Sequence, residues 1–243
     1  MRKHNNADYT YEQVLNGIGY YSRDDLLRYS EGVKTLQEKL NAAGFICGTP
    51  DGRFGENTSR AVYQFQTAYD LKADRLAGKD TLTRLDMIHS GSGGCNGDIL
   101  TMKERIVREA EYWIGKIPYC INSLVTTQVL YREAPPPYMD CSDFTSSVYL
   151  TVLGIHIGIN TKAQIRKGVS VPADAMEPGD LIFFDWNGNG LPDHVGICSA
   201  RNEMIDEHGS NSDPANLKAG ENVRRKSLSA YYKDHILDVR RII

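Results

Sequence analysis

A run of small residues, Ser90-Gly-Ser-Gly-Gly94, divides the 243-residue chain into two parts with different hydrophobic patterns. Side chains this short bury too little surface to order a segment, so the run predicts a hinge between two folded units. A surface loop inside one domain is the alternative. We expect an N-terminal extension at 1–30, a first domain at 31–88, a linker at 89–100 and a second domain at 101–243. Both domain lengths suffice for independent folding.

The composition is that of a globular protein and excludes several classes of function. Hydrophobic residues make up 41% and charged residues 24%, which is untypical of collagen-like or disordered chains. The net charge of -3 gives no basic excess for binding phosphates, so we expect no nucleic-acid partner. No apolar run approaches the ~20 residues of a membrane span, so we expect no membrane partner.

The N-terminus and the cysteines bear on where the protein acts and with what chemistry. Residues 1–10 include basic side chains with no apolar stretch behind them, so no secretory signal peptide is expected.

The cysteines are odd in number and form no CxxC pair, which argues against a disulfide scaffold and a zinc site. We therefore expect no metal and no cofactor. The five thiols are Cys47, Cys95, Cys120, Cys141 and Cys198.

The first part of the chain has apolar residues at the three-to-five-residue spacing of amphipathic helices. A turn-rich loop at 48–55, whose glycines allow positive φ angles, separates the first two apolar stripes. We predict three short helices. They are carried by Val33, Leu36, Leu40 and Phe45, by Thr58, Ala61, Val62, Phe65 and Tyr69, and by Lys79, Leu82 and Leu85.

This pattern resembles the small three-helix peptidoglycan-binding domain over about residues 31–87. The matching residues are Val33, Leu36-Gln37, Leu40, Gly44, Asp51-Gly52-Arg53-Phe54-Gly55, Thr58, Ala61-Val62, Phe65-Gln66 and Leu82. The family usually repeats Asp-Gly-x-x-Gly in its second turn, whereas this chain has Asp74-Arg75-Leu76-Ala77-Gly78. The resemblance implies that the first domain binds the bacterial cell wall.

The second part of the chain begins with helical patterns and continues with strands. Apolar spacing predicts helices over about 101–115 and from Phe144 to Gly154. Strand-like runs follow at 180–186, 194–199 and 203–208, with a further candidate at 237–243, and a turn at 187–190 joins the first two. Helices first and strands later, without βα alternation, indicate an α+β domain.

Cys141 is the first candidate for chemistry. It follows the turn-forming Pro135-Pro-Pro137 and lies at the predicted start of a helix. A thiol there experiences the positive end of the helix dipole, which favours the thiolate. The unpaired N–H groups of the same helix end can stabilise an oxyanion. A buried, inert cysteine is the alternative.

His194 is the candidate base. It begins a strand directly after Pro192-Asp193, and Val195 and Ile197 alternate with it towards the opposite face. An imidazole facing a cleft can take the thiol proton and later protonate the leaving amine. A surface histidine at a strand end is the alternative.

A third polar group must orient the imidazole and fix its tautomer. The next strand offers Asp206, Glu207 and His208, of which Asp206 and His208 share a face by alternation. Glu207 points away unless a bulge intervenes. We choose His208, with Asp206 as the alternative.

Four segments occur in order in the second part of the chain: Gly115-Lys-Ile-Pro-Tyr119, Asp140-Cys141-Ser142-Asp143-Phe144, Pro178-Gly179-Asp180-Leu181-Ile182-Phe183-Phe184 and His194-Val195-Gly196-Ile197. Together they resemble an NlpC-type papain-like cysteine peptidase over about 103–243. The resemblance implies a papain-like α+β domain with a central antiparallel sheet, in which Cys141 is the nucleophile, His194 the base and His208 the third residue. It also places Tyr119 at the oxyanion site.

Four acidic or hydroxyl residues beside the three are further candidates for the oxyanion and substrate-binding region: Asp140, Ser142, Asp143 and Asp206. The family usually has glycine after Asp-Cys-Ser, where this chain has Asp143. A carboxylate facing the cleft there would raise the pKa of the thiol. Alternatively, Asp143 caps the helix or binds a cationic substrate group.

The two resemblances together predict a peptidoglycan hydrolase that cleaves an amide bond in stem peptides. With no signal peptide, an endolysin of phage type is expected, made in the cytoplasm and acting on the wall after release or injection. CHAP amidase/peptidase domains share the order of cysteine and histidine, so an N-acetylmuramoyl-L-alanine amidase or cross-bridge peptidase is an alternative. A wall-binding protein without activity is another.

Overall fold

A computed structural model gives the structure of the protein and describes residues 8–25, 28–90, 101–121 and 127–243. The chain forms two compact units, Met1–Leu100 and Thr101–Ile243. Most of the predicted linker, together with Cys95, lies outside the described residues. None of the described helices has the length and apolarity needed to cross a bilayer.

Helices build the first unit: α1 (Tyr11–Leu15), α2 (Glu31–Ala42), α3 (Glu56–Ala68) and α4 (Lys79–Ser90). The hydroxyl of Ser30 accepts a hydrogen bond from the N–H of Val33 and so fixes the start of α2. The predicted apolar stripes meet in one core, which includes Val33, Leu36, Leu40, Phe65, Leu82 and Leu85. The chain before α2 joins this core through Val14 and Tyr21, both fully buried.

Gln37 in α2 organises the turn between α2 and α3, which we call the first turn (Asp51–Gly55). Its amide nitrogen donates to Asp51 Oδ1 at 3.0 Å, to the Arg53 carbonyl at 3.1 Å and to Thr58 Oγ1 at 2.9 Å. Its amide oxygen accepts from the N–H of Gly52 at 2.9 Å. A buried side chain thus satisfies the polar groups that the turn brings into the interior.

Gln66 in α3 repeats this network at the second turn (Asp74–Gly78). Its amide nitrogen donates to Asp74 Oδ1 at 3.1 Å, to the Leu76 carbonyl at 3.0 Å and to Thr81 Oγ1 at 3.1 Å, and its oxygen accepts from the N–H of Arg75 at 2.9 Å. Arg75 has φ 65°, and its equivalent Gly52 has φ 71°. The two turns therefore have the same backbone shape although the second lacks the family's glycine.

The second unit packs helices on an antiparallel sheet. Its elements are α5 (Met102–Tyr112), α6 (Cys141–Leu153), α7 (Thr161–Gln164), β1 (Val169–Val171), β2 (Leu181–Phe184), β3 (His194–Ala200), β4 (Glu203–His208), β5 (Asn222–Ser227), α8 (Ala230–Asp234) and β6 (Ile236–Arg241). The strand order is β1-β6-β2-β3-β4-β5, with every pair antiparallel. The predicted α+β class, with an all-α first unit, is confirmed.

The α6 helix is the central element of this unit, and all of its residues from Cys141 to Val152 are buried. It packs against the face of the sheet that carries Val195, Ile197 and Ile205. Cys198 and Met204 point to the opposite face and form a second, smaller core there. Strand alternation therefore separates two layers of side chains, one on each face of the sheet.

We expect Gln37→Leu to lower the free energy of unfolding of the first unit by about 3 kcal/mol, because it leaves several buried polar groups of the first turn without partners. Urea unfolding of the full chain measures the effect. Glu38→Leu, on the exposed side of the same helix, is the matched control. Equal losses in the two variants would show that the amide network does not stabilise the turn.

Candidate active site

Cys141 is the first residue of α6, and Asp140 before it caps the helix. The carboxylate of Asp140 accepts from the N–H groups of Ser142 and Asp143, both at 2.9 Å, and from the Ser142 hydroxyl at 2.8 Å. Two N–H groups at the helix start are therefore engaged and do not face a substrate. The N–H of Cys141 itself remains the backbone donor beside the thiol.

His194 is the first residue of β3, and its buried ring lies beside the Cys141 side chain. Burial favours the neutral imidazole, but the negative charge of Cys141 and hydrogen bonds with Asp206 and Cys141 outweigh it. The pKa of His194 consequently lies well above its ordinary value. The structure thus brings together the predicted nucleophile and base, as an arrangement that supports a thiolate–imidazolium pair.

Asp206 on β4 holds the other side of the imidazole. Its Oδ2 lies 2.8 Å from His194 Nε2, which leaves Nδ1 for the thiol. Arg224 on β5 donates to the same carboxylate, with Nε 3.1 Å from Oδ1. Burial opposes ionisation of Asp206, but these two cationic partners keep its pKa below the ordinary value.

His208, chosen from the sequence as the orienting residue, does not hold that position. Its Nδ1 lies 3.7 Å from Asp206 Oδ2, and its ring meets the His194 ring edge-on at 5.8 Å between centroids. Gly196, next to His194 on the same face of β3, leaves room beside Asp206: a Cβ there would be 2.9 Å from Met204 Sδ and 3.3 Å from the Asp206 Cβ. The geometry therefore favours Asp206, the alternative, and leaves His208 half-exposed behind it.

Tyr119 is close enough to Cys141 for the charge of that side chain to act on its hydroxyl, and its role at the oxyanion site stays a prediction. Burial, followed by the negative charges of Cys141 and Asp140, raises the pKa of its hydroxyl. The hydroxyl therefore stays protonated at neutral pH and is able to donate a hydrogen bond. The Tyr119 ring packs over Gly209, where an added Cβ would come within 2.5 Å of it.

Glu207 is a member of the site region whose place the sequence did not reveal. It lies on the opposite face of β4 from Asp206, as predicted, but that face packs on α6, so its carboxyl is fully buried in the charge environment of Cys141. Neither carboxyl oxygen has a hydrogen-bond partner among the described residues. Burial, with the negative charges of Cys141 and Asp140, raises its pKa to about 10. Glu207 is therefore uncharged at neutral pH.

Asp143, the departure from the family glycine, is also buried, with an exposed fraction of 6%. Its N–H is part of the Asp140 cap, and its charge contributes to the raised pKa of Glu207. Asp143 therefore belongs to the buried start of α6. Its role toward substrate stays a prediction.

The ligand atoms of His194, Asp206 and His208 lie within 4.8 Å of one another, a spacing that a metal ion could use. The contacts present favour a different arrangement. Asp206 already bonds His194 and the guanidinium of Arg224, whose positive charge opposes a second cation at the same carboxylate.

The loop before β3 is fixed by its own side chains. The carboxylate of Asp185 accepts from the N–H groups of residues 187–190, at 2.7 to 3.3 Å. Asp193, next to the base, accepts from the N–H of Trp186 at 2.9 Å. The turn predicted at 187–190 therefore also fixes the backbone that leads into His194.

Both parts of the chain match sequence models of known families. Residues 127–241 match the sequence model of the NlpC/P60 family, and residues 29–85 match a putative peptidoglycan binding domain. The second unit belongs to the NlpC/P60 family. Both resemblances inferred from the sequence are confirmed, and the domain limits drawn from it stay predictions.

Relatives match the NlpC/P60 chain over parts of their length. Probable endopeptidase NlpC of Escherichia coli is 33% identical over 43% of this chain and 62% of its own length. N-acetylmuramoyl-L-alanine amidase CwlM of Mycobacterium tuberculosis is 35% identical over 34% of this chain and 20% of its own. Protein P54 of Enterococcus faecium is 32% identical over 53% of this chain and 21% of its own length. The chain therefore spans about a fifth of the length of relatives such as CwlM and P54.

Among solved structures, the NlpC/p60 domain of peptidoglycan hydrolase SagA is 30% identical, with a TM-score of 0.39, over 51% of this chain and 86% of that one. The peptidoglycan hydrolase RipB of Mycobacterium tuberculosis is 16% identical, with a TM-score of 0.45, over 91% of this chain and 89% of that one.

The charge state of Glu207 is open to a stability test. Because the folded state keeps the proton of Glu207 up to about pH 10 while the unfolded state loses it near 4.5, the wild type loses stability as pH rises between these values. Glu207→Gln removes this loss. We expect its free energy of unfolding, relative to wild type, to grow by up to about 1.4 kcal/mol per pH unit, as measured by urea unfolding at pH 5, 6 and 7.

Glu203→Gln is the matched control, because it removes a carboxyl from the start of the same strand, where Arg225 bonds it at the surface. A similar slope in both variants, or a flat difference for Glu207→Gln, would contradict a buried neutral acid at position 207.

Proposed function

We propose that the protein is a peptidoglycan hydrolase that cleaves an amide bond in cell-wall stem peptides through Cys141, His194 and Asp206. The observation that carries the proposal is the position of His194, which lies beside the Cys141 thiol and is held by the 2.8 Å bond to Asp206. Membership of the NlpC/P60 family and the peptidoglycan-binding match support the substrate class.

In the first step, the Cys141 thiolate attacks the amide carbonyl carbon and forms a tetrahedral intermediate. The N–H of Cys141 and the hydroxyl of Tyr119 are the donors available for its oxyanion. The imidazolium of His194 then donates its proton to the departing amine as the C–N bond breaks. A thioester with Cys141 and a neutral His194 remain.

In the second step, His194 takes a proton from water, and the resulting hydroxide equivalent attacks the thioester carbonyl. Collapse of this intermediate releases the carboxylic acid product, which loses its proton to solvent, and regenerates the thiolate–imidazolium pair. Asp206 keeps Nε2 of His194 protonated and directs Nδ1 to the sulfur throughout, and Arg224 keeps Asp206 ionised.

The first unit holds the enzyme on its insoluble polymer in this proposal. Tethering raises the effective concentration of stem peptides near the thiol without any new contact at the active site. Both an endopeptidase and an N-acetylmuramoyl-L-alanine amidase fit these residues, since the chemistry at the amide carbon is the same. A new amine within the stem identifies the first, and freed lactyl groups identify the second, when digested wall fragments are weighed by mass spectrometry.

Cys141→Ala is expected to abolish the clearing of purified cell walls, because Cys141 is the thiol beside His194. The other thiols that the structure describes are buried and donate to oxygen atoms. Loss of turbidity measures the reaction. Cys198→Ala is the matched control: this thiol is buried in the second core, on the face of β3 away from α6, and donates to the Ala200 carbonyl. Equal clearing by both variants would exclude Cys141 as the nucleophile.

Asp206→Asn is expected to reduce kcat by about 10²-fold or more, while His208→Gln reduces it by less than about tenfold. Loss of the carboxylate charge also lowers the pKa of His194, so the alkaline limb of the pH–rate profile moves to lower pH in Asp206→Asn alone. Initial rates on soluble muropeptides across pH 6 to 10 measure both effects. A larger loss in His208→Gln would restore His208 as the third residue.

A further inference from the structure

The two turns of the first unit share a backbone but differ in what covers them. At the first turn, the ring of Tyr29 lies over Gly52, so that a Cβ on Gly52 would come within 2.7 Å of it. Glu56, which follows this turn, forms an ion pair with Arg23. Side chains from the segment before α2 therefore occupy the outer surface of the first turn.

The second turn borders an open cavity of about 280 Å³. Lys79 and Asp80 stand where the first turn has Glu56 and Asn57, and neither side chain makes a hydrogen bond or ion pair with any described residue. Tyr20 forms part of the cavity wall and is 40% exposed. The same backbone framework thus presents polar groups to solvent here.

Hydrogen bonds hold the N-terminal segment in place on its side of the cavity. Tyr21 pairs with Ala77 of the second turn through two backbone hydrogen bonds, at 3.1 and 2.9 Å. The fully buried Tyr21 also donates its hydroxyl to the Tyr9 carbonyl at 2.9 Å. Because these bonds fix the neighbouring Tyr20, the cavity is formed before any ligand arrives, which lowers the entropic cost of binding.

The side chains around the cavity favour a neutral ligand rich in hydroxyl and amide groups. Its four charged residues are two lysines and two aspartates, Lys72, Lys79, Asp74 and Asp80, whose charges cancel. A cavity that binds the free carboxylate of a peptide would instead have more cationic than anionic side chains. An exposed aromatic ring beside donors and acceptors suits the apolar face and the hydroxyl rim of a sugar ring.

We propose that this cavity binds an N-acetylated sugar ring of the glycan strand. The ring packs on Tyr20, while Lys79 donates to and Asp80 accepts from its hydroxyl and acetamido groups. The proposal rests on the wall-binding role proposed for the first unit and assigns that role to the second turn and the segment 17–21 together.

The test measures sedimentation of the full chain with purified sacculi, in a Cys141→Ala background so that the polymer stays intact. Tyr20→Ala and Asp80→Ala are each expected to weaken binding about fivefold to tenfold. Tyr231→Ala, at an exposed tyrosine of the second unit, and Asn57→Ala, at the position equivalent to Asp80, are the matched controls and are expected to bind like the parent.

A soluble tetramer of β-1,4-linked N-acetylglucosamine identifies the ligand class. It is expected to displace the parent from sacculi, whereas free stem tetrapeptide is not. Displacement by the peptide alone, or unchanged binding by both cavity variants with unchanged thermal unfolding, would overturn the glycan site and leave the wall-binding role intact. A parent that does not sediment would overturn both, while turbidity clearing by the wild type would still report on hydrolysis.

Discussion

The contact between His194 and Asp206 is the interaction on which the site depends. Both groups are buried, and a buried charge is costly unless it is paired and hydrogen-bonded. Asp206 meets this condition with His194 on one side and Arg224 on the other, and His194 meets it with Asp206 and Cys141. The sheet sets this order, because β3, β4 and β5 are neighbours and each supplies one member.

Negative groups crowd the start of α6, and their charges must be limited for a thiolate to exist there. The N–H groups of Ser142 and Asp143 stabilise the charge of Asp140, and Asp206 has its two cationic partners. Glu207 has neither, so it stays protonated. A charged Glu207 would oppose the thiolate directly, and the burial that raises its pKa therefore protects the nucleophile at neutral pH.

Hydrophobic period and motif order predicted the helices, the α+β class and the pairing of Cys141 with His194. The orienting residue required information that one sequence does not contain. Alternation placed Asp206 and His208 on the same face. The choice between them needs the three-dimensional contacts, in which Asp206 lies 2.8 Å from His194 and His208 contacts Asp206 only at 3.7 Å. Glu207 was predicted on the correct face, but the packing of α6 over that face comes from tertiary structure, and so does its burial beside the thiol.

The internal repeat of the first unit shows how binding and stability are divided within one small domain. Gln37 and Gln66 satisfy each turn from inside, so the outer surface of either turn is free to change without loss of the backbone shape. Arg75 demonstrates this freedom, since it takes the left-handed conformation that Gly52 adopts at the first turn. Tyr29 covers the first turn, whereas the second turn borders an open cavity, so the two copies of one backbone frame differ in the surface that they expose.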